Sequence, residues 1–255
     1  MYKLLAMFSA AVLLSAGAAA DAFRIEAGVG GWSQKDSGSV DYTTSTQSGS
    51  DSSTEKSDTV GYAWIYLKHP IPILPNVRLE YAKLQYQGDV GVTIDTGTFT
   101  EATTSTSTFD SNVYDAILYY NLLDNLAWMT LDLGLDVKMF DYKYDVAAND
   151  NGLVSYEGYS KSGTLVVPLA YLRARFEIPA TGIGLEGEGS YISYDGATFY
   201  DARVKADWTM EFVPVIQPGV EVGYRVTKVE YDKDSSELKA NVDFSGFYAG
   251  LMMRF

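Results

Sequence analysis

The chain has 255 residues, no cysteine, one histidine and a formal net charge of −14. That acidity argues against nucleic acid and against a polybasic mode of lipid-surface binding. The missing cysteines exclude disulfides, a cysteine metal site and lipoprotein anchoring, while abundant Tyr, Thr, Ser, Asp and Gly with scarce Pro is a composition of strands and turns.

The N-terminus reads as a sorting signal. Lys3 supplies a positive start, Leu4 to Leu14 an apolar stretch, and Ala18-Ala19-Ala20 a small-residue cleavage site. Residues 1–20 are therefore expected to be a cleavable signal peptide. Residues 21–255 form one domain of 235 residues (255 − 20) with a charge of −15 once Lys3 is gone. A retained amphipathic helix is the alternative, and the missing polar face argues against it. The apolar stretch is too short to cross a bilayer, which takes about 20 apolar residues in a helix. No apolar run of that length follows it.

The rest alternates like strands. Ten are expected, near 22–34, 58–69, 76–88, 109–120, 126–144, 163–178, 183–194, 199–212, 219–231 and 238–255. The fifth is clear: Met129, Leu131, Leu133, Leu135, Val137 and Met139 share one face, and Thr130, Asp132, Gly134, Asp136 and Lys138 the other. The eighth sets Ala202, Val204, Ala206 and Trp208 against Asp201, Arg203, Lys205 and Asp207. The second leaves its facing open, because Tyr62, Trp64 and Tyr66 oppose Ala63, Ile65 and Leu67. In the third, Val77, Leu79 and Tyr81 change parity against Leu84 and Tyr86, which suggests a β-bulge.

Short connections (Pro70 to Pro75, Asn121 to Asn125, Pro179 to Gly182, Val213 to Pro218) alternate with mostly longer, polar ones at 35–57, 89–108, 145–162, 195–198 and 232–237. The 35–57 segment is Ser/Thr/Gly/Asp-rich and reads as a mobile loop. This is the pattern of a transmembrane antiparallel up-and-down β-barrel of about ten strands, with eight to twelve compatible. The longer loops would be extracellular and both termini periplasmic. A soluble β-sandwich is the rival. Against it, Tyr120, Phe176, Phe212 and Phe255 each close a descending strand on its apolar face, as a membrane-interface girdle would.

The chain ends on alternating apolar residues, Phe247, Ala249, Leu251, Met253 and Phe255. This resembles the terminal-strand signature of bacterial outer-membrane barrels, read by their assembly machinery. With Gly30-Gly31-Trp32 and the turn His69-Pro-Ile-Pro-Ile-Leu-Pro-Asn76, the chain also resembles a family of uncharacterised outer-membrane β-barrel proteins. The resemblance implies an outer-membrane barrel of unassigned function and supplies no catalytic, ligand or cofactor residues. The implied partners are outer-membrane lipid and lipopolysaccharide, the barrel-assembly machinery and periplasmic chaperones. An extracellular partner cannot be named.

The inward face is expected to carry Arg78, Glu80, Asp115, Asp132, Asp136, Lys138, Arg173, Arg175, Glu177, Glu186, Glu188, Asp201, Arg203, Lys205, Asp207, Glu211, Glu221, Arg225 and Arg254. Its near balance of sign favours a salt-bridged plug, because unpaired charges in a narrow lumen cost several kcal/mol each. A narrow polar, porin-like pore is the alternative. The sign alternation along Asp201-Ala-Arg203-Val-Lys205-Ala-Asp207 favours the plug.

Enzymatic readings lack parts. Outer-membrane proteases use His and acidic residues at the external rim, and lipid hydrolases use Ser and His. The single His69 falls in a short turn at the opposite end. Loop acids Asp145, Asp150 and Glu157, or Asp232, Asp234 and Glu237, offer oxygen ligands but match no calcium-loop pattern, so no metal, cofactor or catalysis is expected. The reading is a non-enzymatic structural or surface-interaction barrel.

Overall fold

The computed structural model describes residues 23–255 apart from 72, 96, 98–99, 127, 151–154, 211–214 and 234–235. The expected signal peptide, and Glu211, Phe212 and Asp234, lie outside the described residues. The described chain is strand and turn, with no helix. Its strands are β1 (Arg24–Thr43), β2 (Gln47–Ser53), β3 (Ser57–Lys68), β4 (Asn76–Asp95), β5 (Thr100–Leu126), β6 (Met129–Val146), β7 (Asn149–Asp150), β8 (Ser155–Tyr156), β9 (Tyr159–Ile178), β10 (Ile183–Tyr194), β11 (Ala197–Thr209), β12 (Gln217–Tyr231) and β13 (Leu238–Arg254).

Each long strand pairs antiparallel with its sequence neighbour, and β1 pairs with β13 from Glu26↔Arg254 to Tyr42↔Leu238, so the sheet closes. Closure leaves no backbone edge unpaired in hydrocarbon, the condition for a strand to cross a membrane. β2 and β3 both lie between β1 and β4, and are two halves of one stave interrupted at 54–56. The barrel thus has ten staves, as the alternation predicts.

Barrel geometry follows from the register. The ladder Ile25–Leu67–Val77–Leu118–Leu135–Ala170–Tyr191–Tyr200–Lys228–Asp243 returns to β1 at Ser37, twelve residues above its start (37 − 25). That stagger over ten staves gives a strand tilt of about 40°, so each residue adds about 2.5 Å of height. On this scale outward-facing Phe23, Phe176, Trp208 and Phe255 lie within about 6 Å of one height, near the short turns. Outward-facing Tyr81, Tyr114, Tyr191 and Phe247 lie about 20 Å above them. Between these rows the outer surface is apolar, including Leu133, Leu135, Leu172, Val204, Val222 and Leu251, all exposed. The band approaches the height of about 25 Å usual for outer-membrane barrels.

Above the upper aromatic row the pattern inverts. The interior becomes apolar, with Val60, Leu84, Val113, Phe140, Val167, Phe199 and Phe244 buried together, and the outer surface becomes polar. This corrects the reading of the third strand. β4 keeps one parity throughout: Arg78, Glu80, Ala82, Leu84, Tyr86, Val90 and Val92 all face inward, and its pairing shows no bulge. The apolar residues change face because the surroundings change, from lipid outside to packed core inside.

The same inversion corrects the loops. Much of 35–57, 89–108 and 145–162 is not irregular. β1, β4, β5, β6 and β9 continue upward through those segments, and β2 forms a hairpin with β1. The 195–198 connection is a tight hairpin whose Asp195 and Gly196 both have positive φ, 50° and 76°, a requirement that Asp-Gly meets well.

Where β3 and β4 part above Tyr62↔Ala82, two side chains from β1 replace the missing ladder. Gln34 Nε2 donates to the Lys83 carbonyl (3.1 Å) and Gln34 Oε1 accepts from the Gln85 N–H (2.9 Å). Asp36 Oδ2 accepts from the Gln87 N–H (3.1 Å). The buried backbone of β4 is thereby satisfied without a neighbouring strand.

Candidate functional site

The site on which any function turns is the lumen between the two aromatic rows. The second stave supplies its aromatic lining: Tyr62, Trp64 and Tyr66 face inward and are buried, and Ala63, Ile65 and Leu67 face out. Inward glycines opposite them make the room. A Cβ on Gly28 would stand 2.5 Å from Trp64 Nε1, and one on Gly30 or Gly250 would meet the Tyr62 hydroxyl at 2.5 or 2.4 Å. The Gly-Gly-Trp sequence is thus a packing device at the closing seam, with Gly30 yielding to Tyr62 and Trp32 turned inward.

The charges form two connected networks, a larger one from the short-turn end up to Arg78 and Arg203, joined through Arg78 and Glu186 at 3.6 Å, and a smaller one around Lys138. At the short-turn end Glu26 Oε1 accepts from Arg24 Nε (2.6 Å) and Arg254 Nε (2.7 Å), and Glu177 bonds Arg24 (2.6 Å) and Arg175 (3.0 Å). Arg175 grips Asp207 with both terminal nitrogens (2.6 and 2.8 Å) and reaches Glu186 (3.2 Å). Such a fork on a carboxylate is rigid as well as strong. Arg173 joins Asp132 (2.7 Å) to Glu186 (2.5 Å). Lys205 lies between Glu186 (3.2 Å) and Glu221 (3.4 Å), and Glu221 also accepts from Tyr62 Oη (2.7 Å) and Trp64 Nε1 (2.9 Å).

Higher up, Arg78 pairs with Glu80 (2.5 Å) and Glu188 (2.8 Å), and Arg203 binds the same two carboxylates. The uppermost group joins Lys138 to Asp115 (2.6 Å) and Asp201 (3.1 Å), Arg225 Nε to Asp201 (2.9 Å), and Asp136 to Lys138 at 3.8 Å. Four cations also lie over rings: Arg78 and Lys205 on Trp64, Arg173 on Tyr66, Arg225 on Trp32. The void within the upper group measures about 10 Å³, close to the least that holds one water.

Every inward charge expected from the sequence and lying among the described residues takes part in one or other of these two networks. Sequence reasoning missed Arg24 and Glu26, although they alternate with outward Phe23 and Ile25. It also missed the aromatic lining, because two apolar faces gave no contrast. Tyr120, Phe176 and Phe255 face outward in the lower row, and Phe247, Leu251 and Met253 are exposed on the outer face of β13.

His69 is committed to its turn. Its Nε2 donates to the Pro75 carbonyl (3.0 Å), its Nδ1 accepts from the Ile71 N–H (3.2 Å), and its own N–H bonds Asn76 Oδ1 (2.9 Å). The acidic positions considered for a metal are dispersed. Asp145 bonds Lys143 and Ser160, Glu237 bonds Lys161, and Asp232 bonds Lys239. Among the described residues no three acidic or imidazole side chains are placed to hold a metal ion together.

A second polar cluster lies above the apolar band. Asp51 on β2 is buried, and accepts from Tyr86 (3.1 Å), Tyr144 (3.0 Å) and Ser107, from β4, β6 and β5. It pins the β1–β2 hairpin to three staves. Burial raises the Asp51 carboxyl above the usual carboxylate range, and the three hydroxyls offset this only in part. A raised folded pKa means stability that is complete below the unfolded value and is lost as pH rises through the folded one. Hairpin docking should therefore be firmest in acid and loosen as pH rises. Limited proteolysis within 44–56, followed from about pH 4 to about pH 8, should show growing cleavage in the wild type and a flat response in Asp51→Asn. A flat wild-type response would refute this.

No family model and no curated protein matches the chain. Among solved structures, the chain is similar in fold to the outer membrane protease OmpT from Escherichia coli, at 10% identity. The match covers 92% of this chain and 98% of that one, with a TM-score of 0.54. The outer membrane protein OprG from Pseudomonas aeruginosa also matches, at 12% identity over 91% and 95% of the two chains, with a TM-score of 0.29. At 10% identity the likeness to OmpT shows the fold alone: a closed antiparallel β-barrel of the outer-membrane type.

Proposed function

We propose that this protein is a non-enzymatic outer-membrane barrel whose closed stem carries an extracellular β-structured extension, the surface-interacting part. The carrying observation is how the inward side chains of the described residues are used. Paired charges occupy the stem, and a packed apolar core follows directly above them. A conducting pore needs a continuous polar path, ordinarily with unlike charges on separate walls. Here both signs interdigitate around the wall.

The lack of chemistry in this reading rests on His69. General-base activation needs a free basic group beside a nucleophile. The chain's one imidazole has both nitrogens bonded to turn backbone. The proposal also takes the chain to be exported by its first twenty residues, with both termini periplasmic. Insertion would follow recognition of Phe255 and its outward partners by the assembly machinery, and lipopolysaccharide would surround the upper aromatic row.

Single-channel recording on the refolded barrel in a planar bilayer tests the closed stem. The expected result is no steady current at moderate voltage. Steady charge-selective currents would overturn the proposal and promote a narrow small-solute channel.

A further inference from the structure

The turn between β3 and β4 departs from what a periplasmic turn in water requires. It exposes Ile71, Ile73 and Leu74, and Ile73 is 84% exposed. Singly exposed apolar side chains are unremarkable, but three on one short turn form a patch. The turn is also stiff, held by Pro70 and Pro75, by the His69 bonds to Pro75 and Ile71, and by the Leu74 N–H on the Ile71 carbonyl (3.3 Å).

Its height explains the patch. β3 and β4 end high: their lowest outward strand residues, Leu67 and Val77, stand roughly 5–10 Å above the level of Phe23 and Phe255 on the twelve-residue stagger. The lower apolar rim would have a notch below this hairpin. The turn fills it, and leans on the outer wall, because outward-facing Tyr120 donates its hydroxyl to the Ile73 carbonyl (3.0 Å).

We infer that Ile71, Ile73 and Leu74 are a lipid-binding element, inserted among the acyl chains of the periplasmic leaflet and completing the apolar belt below β3 and β4. This rests on the membrane reading of the barrel. The argument for lipid, over a second copy or a periplasmic protein, is continuity. The patch adjoins the outward face of Tyr120 and lies at the height where every neighbouring stave meets lipid.

The chain has no cysteine, so single Cys substitutions report one site each. Ile73→Cys, Leu74→Cys, Leu133→Cys and Thr104→Cys, each nitroxide-labelled and refolded into phosphatidylcholine vesicles, would be compared for collision with oxygen and with a water-soluble nickel chelate. Labels at 73 and 74 should resemble the mid-belt label at 133, oxygen-accessible and nickel-protected by severalfold. The label at 104 should be open to nickel. Nickel access at 73 and 74 with protection at 133 overturns the inference and leaves the barrel reading standing. Protection at 73 and 74 from both reagents means a protein contact and also overturns it. Nickel access at 133 removes the membrane reading itself. Ile71→Cys gives a third site should either turn variant refold poorly.

Discussion

Replacing Arg175 by Met should cost about 3–5 kcal/mol, the usual penalty for removing one partner of a buried pair and leaving the other charge, here Asp207, uncompensated. Arg175 is buried, holds Asp207 in a two-pronged bond, and also holds Glu186 and Glu177. Its loss removes the cation that Asp207, itself buried, pairs with among the described residues. Urea unfolding of the refolded barrel in vesicles measures the change. The double variant Arg175→Met with Asp207→Leu should recover a good part of it, because removing both charges also removes the desolvation penalty. If Arg175→Met unfolds like the wild type, the stem is wet and the pairs are weak surface-type bridges. The closed-stem reading would then lose its basis.

The stem was legible because its two faces differ. Where lipid lies outside and charge inside, as at Leu133 and Asp132 with 49% and 0% exposure, the residue period of two carries strong contrast. Strand existence, facing and the ion-paired lumen followed from that contrast on β6, β10, β11 and β12. The second stave resisted because aromatic rings are at home both in lipid and against a guanidinium. Only the inward glycines at 28, 30 and 250 tell which way Trp64 and Tyr62 point, and their fit depends on closure between β1 and β13.

The upper half is deceptive in the sequence for a related reason. On β4 the alternation is unbroken, but its meaning reverses near Lys83, where lipid ends. A parity change in apolar residues looks the same whether the chain bulges or its surroundings invert. The hairpins beyond look like loops in the sequence because their outward Ser and Thr, such as Ser48, Ser50, Thr104 and Thr106, carry little strand-or-loop contrast. The bridging of β1 to β4 by Gln34 and Asp36 spans about fifty residues of sequence, and no local pattern announces it. The motif His69 to Asn76 was recognisable as a turn. Its geometry, with the imidazole spanning Ile71 to Pro75, was not.

Phe244→Ala should be as damaging as Arg175→Met but in a different place. Phe244 is inward on β13 and fully buried, a member of the apolar core above the charges, which also holds Val242, Phe140, Phe199 and Leu84. Truncating a buried Phe to Ala typically costs about 3–5 kcal/mol through lost transfer energy and the cavity left behind. The loss should fall on the extension. Protease cleavage in the β1–β2 and β4–β5 hairpins should rise, while the stem keeps its resistance to unfolding in detergent, because no ion pair below has been touched. In Arg175→Met the order should reverse, with the stem yielding first. Those opposite patterns follow from one feature of the chain: the same inward face carries charge where lipid surrounds it and hydrocarbon where water does. If Phe244→Ala and Arg175→Met weaken both halves together, the barrel unfolds as one cooperative unit. The extension would then draw no separate stability from its apolar core.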